Sequence, residues 1–121
     1  MKFLWCTLHV KNLETSLDFY REIVGLDLSR RFGAKPGPLF AFLGEEGSEI
    51  ELIEDGGENV SEFGKDISLG FEVKNLDATI AFVKEKGVPI HSGPVQPNPH
   101  VRFFFVKDPD GLLIQFVENI P

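Results

Sequence analysis

Two stretches of this 121-residue chain decide its architecture: VKNLETSLDFYREIVGLDL (residues 10–28) and VKNLDATIAFVKEKGVPI (residues 73–90). They share their first four letters, and the agreement continues outward. At an offset of 63 residues Val10 meets Val73, Glu14 meets Asp77, Leu17 meets Ile80, Phe19 meets Phe82 and Glu22 meets Glu85. Beyond these pairs one gap brings Gly25 over Gly87. A second match, IELIED (residues 50–55) over IQFVEN (residues 114–119), has an offset of 64. Carried backward without a gap, it lays LFAFLGEEG (residues 39–47) over FFFVKDPDG (residues 103–111). Two long, nearly constant offsets identify an internal duplication with a period of about sixty residues, and such a period is read before the fold.

Each copy opens with an apolar run, FLWCTLHV or DISLGFEV. Asn12 and Asn75 then precede helical patterns. Asn is a good N-cap, and Glu14 or Asp77 in the first turn suits the helix dipole. Leu17, Phe19, Tyr20 and Val24 form one apolar stripe, and Leu76, Ile80 and Val83 form the other. Gly25 and Gly87 end the helices. Three strand-like runs follow: Leu26–Phe32, Leu39–Leu43 and Glu49–Glu54 in copy one, Val88–Ile90, Val101–Lys107 and Leu112–Glu118 in copy two. EEG and PDG supply the turns between the last two runs. The chain is therefore expected to be one α+β domain of two tandem βαβββ modules, about 1–55 and 67–121, joined by a glycine-containing linker over 56–66. Each helix must bury its apolar stripe against one face of a curved sheet. The two free faces are expected to oppose each other and enclose a cleft.

Strand alternation assigns residues to that free face. Phe3, Trp5, Thr7 and His9 take it in the first strand, with Leu4, Cys6, Leu8 and Val10 beneath the helix. Glu49, Glu51 and Ile53 take it in the fourth, Ser68, Gly70 and Glu72 in the fifth, and Leu113, Gln115 and Val117 in the last. Trp5 and Ser68 are equivalent by the repeat, as are Glu51 and Gln115.

Composition narrows the function. Twelve Phe against one Trp and one Tyr point to a Phe-rich core, an apolar pocket, or both. A net charge of −7 with no basic run argues against nucleic acid and against an anionic membrane surface. The single cysteine, Cys6, excludes an intrachain disulfide. MKFLWCTLHV lacks the pattern of a secretory signal and no stretch reaches spanning length, so a cytoplasmic protein is expected.

The segments LHVKNLETSLDFYREIVGLDL, SEIELIE, FEVKNLDATIAFVKEKG and FVKDPDGLLIQFVE resemble the vicinal-oxygen-chelate superfamily. That superfamily holds glyoxalase I, extradiol dioxygenases and bleomycin-resistance proteins, and the start of the chain is most similar to glyoxalase I. The resemblance implies a divalent metal held by residues on the first, fourth, fifth and eighth strands, places that fall on Trp5, Glu51, Ser68 and Gln115. Of these only Glu51 carries a metal-ligand type of side chain, so no metal or other cofactor is expected. The expected function is that of a small-molecule-binding member that sequesters an aromatic or cationic ligand in a Phe-lined cleft. Trp5, Thr7, Ser68, Arg102, Phe103, Phe105 and Gln115 would contact the ligand. The alternative is a lactoylglutathione-lyase-like lyase or isomerase with Glu51 as the catalytic group. The resemblance also implies a homodimer. A purely structural domain is the third reading, should Phe side chains fill the cleft. His91 and His100 flank SGPVQPNPH (residues 92–100), read as a loop able to cover a cleft mouth.

Overall fold

The structure is a computed structural model that describes residues 1–56 and 67–121; most of the expected linker, residues 57–66, lies outside the described residues. The chain divides into two compact units, Met1–Glu62 and Phe63–Pro121. Unit 1 contains β1 (Trp5–His9), α1 (Leu13–Asp18), β2 (Leu28–Gly33), β3 (Leu39–Leu43) and β4 (Glu49–Glu54). Unit 2 contains β5 (Ser68–Glu72), α2 (Leu76–Glu85), β6 (Ser92–Asn98), β7 (Val101–Lys107) and β8 (Leu113–Asn119). The sheet orders are β1-β4-β3-β2 and β5-β8-β7-β6, the same βαβββ topology twice. In each, the first strand runs parallel to the fourth and the remaining pairs are antiparallel.

The helix starts follow the sequence. Asn12 Oδ1 accepts from the Thr15 amide at 2.9 Å, and Asn75 Oδ1 accepts from the Ala78 amide at 2.9 Å. A carboxylate from the end of the fourth strand completes each cap. Glu54 accepts from the Leu13 amide at 2.7 Å, and Glu118 accepts from the Leu76 amide at 2.6 Å. Two of the orphan amides of each helix N-terminus are thereby paired. The cores lie between helix and sheet. Leu8, Val10, Leu17, Tyr20, Ala41, Leu43, Ile50 and Leu52 are buried in unit 1, and Leu76, Val83, Phe104, Val106, Ile114 and Phe116 in unit 2. Phe104 and Phe116 meet there with ring centroids 5.3 Å apart.

The gap between the copies takes a physical form in the helix. After α1 the chain makes a wide π turn over Phe19–Ile23. The Leu26 amide closes back on the Tyr20 carbonyl at 2.9 Å, whereas the Val88 amide closes on that of Val83 at 2.8 Å. Tyr20 and Val83 are equivalent, so the same bond spans one residue more in copy one. A π turn is how a helix absorbs a one-residue insertion.

Two sequence expectations are corrected. The ungapped carry-back from β4 to β3 is one residue out. Leu43 pairs with Ile50 and Phe42 with Glu51, while Val106 pairs with Ile114 and Phe105 with Gln115. Phe42 is therefore equivalent to Phe105, and the second hairpin turn is one residue longer. Because side chains alternate, a slip of one would have exchanged the faces. The second correction concerns β6. The strand expected at Val88–Ile90 forms instead at Ser92–Asn98, inside the stretch read as a covering loop. Pro94 and Pro97 lack a ladder N–H, a defect tolerated at a sheet edge, and β6 is the edge strand, with register shifts on either side of Val95.

Candidate functional site

The face of each sheet away from its helix carries the expected residues. In β1, Trp5, Thr7 and His9 are exposed while Leu8 is buried, and in β4, Ile50 and Leu52 are buried while Glu49, Glu51 and Ile53 are half-buried. In unit 2, Ser68, Gly70 and Glu72 are exposed, and Leu113, Gln115 and Val117 are half-buried.

Strand register sets the neighbours in unit 1. Thr7 stands beside Glu51, Glu51 beside Phe42, and Phe42 beside Arg30, in one row across the sheet. The Thr7 hydroxyl donates to Glu51 Oε1 at 2.7 Å. Trp5 stands beside Glu49, one step along, and meets Phe42 edge to face with centroids 5.0 Å apart. Phe32 stacks on Phe40 at 4.9 Å and on Phe42 at 6.3 Å. The Arg30 guanidinium lies 3.8 Å above the centre of the Phe42 ring and donates through Nη1 to Glu49 Oε2 at 3.0 Å. Beneath this cation and the neighbouring rings Phe42 is only 4% exposed although it points away from the helix. The sequence reading had not singled out Arg30, Phe40 or Phe42. Alternation of Phe40 and Phe42 within β3 was a usable signal; the bulge at Ser29, which puts Arg30 on this face and Arg31 on the other, was not legible.

Unit 2 has the same frame with different chemistry. Gly70 stands beside Gln115, and Gln115 beside Phe105. The Gln115 Oε1 atom lies over Gly70, 3.4 Å from where a Cβ would be. Phe103 and Phe105 form an edge-to-face pair with centroids 5.9 Å apart. Arg102 does not join them. It alternates with Phe103 and Phe105 and so lies on the helix side, where it binds Asp77 of α2 at 3.1 and 3.4 Å. Arg102 as a ligand contact beside those rings is thus corrected by strand parity. Its guanidinium, first through hydrogen bonding and then through charge, holds the Asp77 carboxyl below its ordinary value of 3.8. His91 and His100 are exposed at the two ends of β6, and His9 lies 3.7 Å from Asp55.

A divalent metal was tested against the chemistry of the four positions to which the resemblance assigns it. Trp5 offers an N–H donor and no lone pair. Ser68 and Gln115 offer neutral oxygens, and Glu51 offers one carboxylate, already bonded to Thr7. No group of three His, Cys, Asp or Glu side chains that could hold a metal ion occurs among the described residues. This donor set does not fit a divalent ion. No described helix is long and apolar enough to cross a membrane.

Comparison with known proteins places these features. The sequence profile of the Glyoxalase/Bleomycin resistance protein/Dioxygenase superfamily matches residues 2–116. A lactoylglutathione lyase of Haemophilus influenzae is 35% identical over 132 aligned residues, covering 98% of this chain and 93% of the relative. One from Neisseria meningitidis is 32% identical over 127, covering 98% and 91%. Among solved structures, glyoxalase I of Leishmania major superposes with a TM-score of 0.81 at 22% identity, covering 98% of this chain and 86% of that one. TnmS3, an antibiotic binding protein from Streptomyces, superposes with a TM-score of 0.74 at 25% identity, covering 98% and 96%.

Proposed function

Because this chain belongs to the Glyoxalase/Bleomycin resistance protein/Dioxygenase superfamily, we propose that it is a proton-transferring isomerase of the lactoylglutathione lyase type, with Glu51 as its base. The observation that carries this reading is the Glu51 carboxylate, presented on the free face of β4 and oriented by Thr7. The relatives named lactoylglutathione lyase, alike over nearly the whole chain, support it over pure sequestration.

The chemistry is an isomerisation. Glu51 takes the proton from the carbon of a hemithioacetal that bears hydroxyl and sulfur. The electron pair moves onto the adjacent carbonyl oxygen and gives an enediolate. Returning the proton to the neighbouring carbon, with the hydroxyl proton passing to the former carbonyl oxygen, yields a 2-hydroxy thioester. Thr7 holds one carboxylate oxygen and leaves the other for the substrate. Trp5 and Phe42 supply an apolar wall that lowers the local dielectric around the transferred proton. No step runs through a metal, because the donor set does not fit one. Glu51→Gln, assayed with the methylglyoxal–glutathione hemithioacetal, is expected to lose turnover while keeping its circular dichroism. Retention of wild-type turnover by this variant would remove Glu51 as the base.

A second reading is favoured by the neutral side chains at Trp5, Ser68 and Gln115 and by the aromatic side chains on the free face of each sheet. It is sequestration of a planar aromatic or cationic molecule, the class of role borne by the antibiotic binding protein TnmS3. Titration with bleomycin, read by the emission of the single tryptophan, separates the two. Micromolar quenching without turnover of any hemithioacetal supports sequestration; turnover with no quenching supports the isomerase.

A further inference from the structure

We propose that Arg30 is the catalytic electrophile of unit 1, the group that receives the negative charge created when Glu51 removes a proton. The inference rests on the isomerase reading. Enolisation leaves an oxyanion, and some donor must lie opposite the base to stabilise it. The positions that a metal would use carry Trp5, Ser68 and Gln115, and none of these brings a positive charge.

Arg30 does. It shares the row of Glu51, with Phe42 between them, so the two backbones are separated by about 10 Å at ordinary strand spacing. The Arg30 side chain folds inward over Phe42, towards the base. Among the described residues its side chain makes two hydrogen bonds, to Glu49 Oε2 and to Ser29 Oγ, and both leave from Nη1. The remaining edge of the guanidinium is left for a planar oxyanion, a geometry that Arg offers and Lys does not. Glu49, 11% exposed, anchors the cation, and the Phe42 ring beneath it excludes water from one face.

Three other cations of unit 1 are turned elsewhere. Arg31 pairs with Glu14 on the helix side at 2.6 Å, Lys35 with Glu54 at 3.6 Å, and Lys2 with Glu46. His9, one row from Glu51, turns towards Asp55. The balance of the step is complete: the proton goes to Glu51 and the electron pair to the carbonyl oxygen facing Arg30. Glu51 then delivers the proton to the carbon bearing that oxygen. The oxygen takes up the proton of the original hydroxyl and becomes the 2-hydroxyl, while the carbon that carried the hydroxyl becomes the thioester carbonyl.

The test uses the full chain and four proteins: wild type, Glu51→Gln, Arg30→Ala and Arg30→Lys. Arg30→Ala is expected to lower kcat by ~10²–10³-fold, the usual loss when one oxyanion donor is removed. Millimolar guanidinium chloride should restore at least tenfold of that loss, and should restore nothing to Glu51→Gln. Arg30→Lys is expected to lower kcat at least tenfold with KM nearly unchanged. Should Arg30→Ala fail to fold, Arg30→Lys decides, and full activity in it overturns the proposal. Wild-type kcat in a folded Arg30→Ala, or loss without guanidinium rescue, overturns the role of Arg30 while the isomerase reading stands. A wild-type protein without turnover overturns both.

Discussion

The Thr7 hydroxyl donates to Glu51 at 2.7 Å across the parallel pair β1–β4. At the equivalent place in unit 2, Gly70 lies beside Gln115 and has no side chain to donate. The duplication therefore keeps the frame twice and the acid with its orienting hydroxyl once. Thr7→Val preserves shape and removes the donor. The bond is exposed and adds little to stability, but it fixes the position of the base. Because a misplaced catalytic group costs rate steeply, hemithioacetal turnover is expected to fall roughly tenfold or more, with the unfolding midpoint little changed. Unaltered kcat would show that Glu51 needs no orientation from Thr7.

Metal titration examines the donor set directly. Addition of zinc or nickel to the wild-type chain is expected to give no tight one-to-one binding by calorimetry, and dialysis against a chelator is expected to leave turnover unchanged. Stoichiometric binding lost in Glu51→Gln would contradict the chemistry assigned to Trp5, Ser68 and Gln115.

The parity of β7 is open to a stability test. Phe104 is fully buried under α2, while Phe103, its neighbour in sequence, is half-buried on the opposite face. Phe104→Ala is expected to cost about 3–5 kcal/mol in urea unfolding, as is usual for a buried aromatic. Phe103→Ala should cost clearly less. Equal losses would mean that the faces are wrongly assigned.

Acidification tests the Asp77–Arg102 pair. Arg102 depresses the carboxyl of folded Asp77 below 3.8. A depressed folded value stabilises at pH above the unfolded value and is lost as pH falls through the folded one. The pair's contribution is thus present at neutral pH and disappears below about pH 4, where Asp is protonated. The stability difference between wild type and Asp77→Asn is expected to be small, the pair being exposed, and to shrink over that range. A difference that grows on acidification would reverse the assignment.

Much of this architecture was legible because it rests on local rules. Asn12 and Asn75 cap the helices as their side chains dictate, and β3, β4 and β7 begin and end where their apolar runs do. Alternation placed Trp5, Thr7, Glu51, Ser68 and Gln115 on the free faces without coordinates. Some of the misses have non-local causes. Pro94 and Pro97 argued against a strand, and only the edge position of β6 makes them tolerable. The face of Arg102 was legible and overlooked, since alternation with Phe103 and Phe105 within one strand already sets it opposite to them. Arg30 and Arg31 are adjacent and chemically identical in sequence, and a bulge decides which of them meets Phe42.

The wide turn at Phe19–Ile23 has an evolutionary corollary. A surplus residue there is swallowed within the helix and not within a strand, so both sheets stay in phase. Removing one residue from that turn should simply tighten the coil into the likeness of its sister. The same deletion within β4 would turn Glu51 inside out.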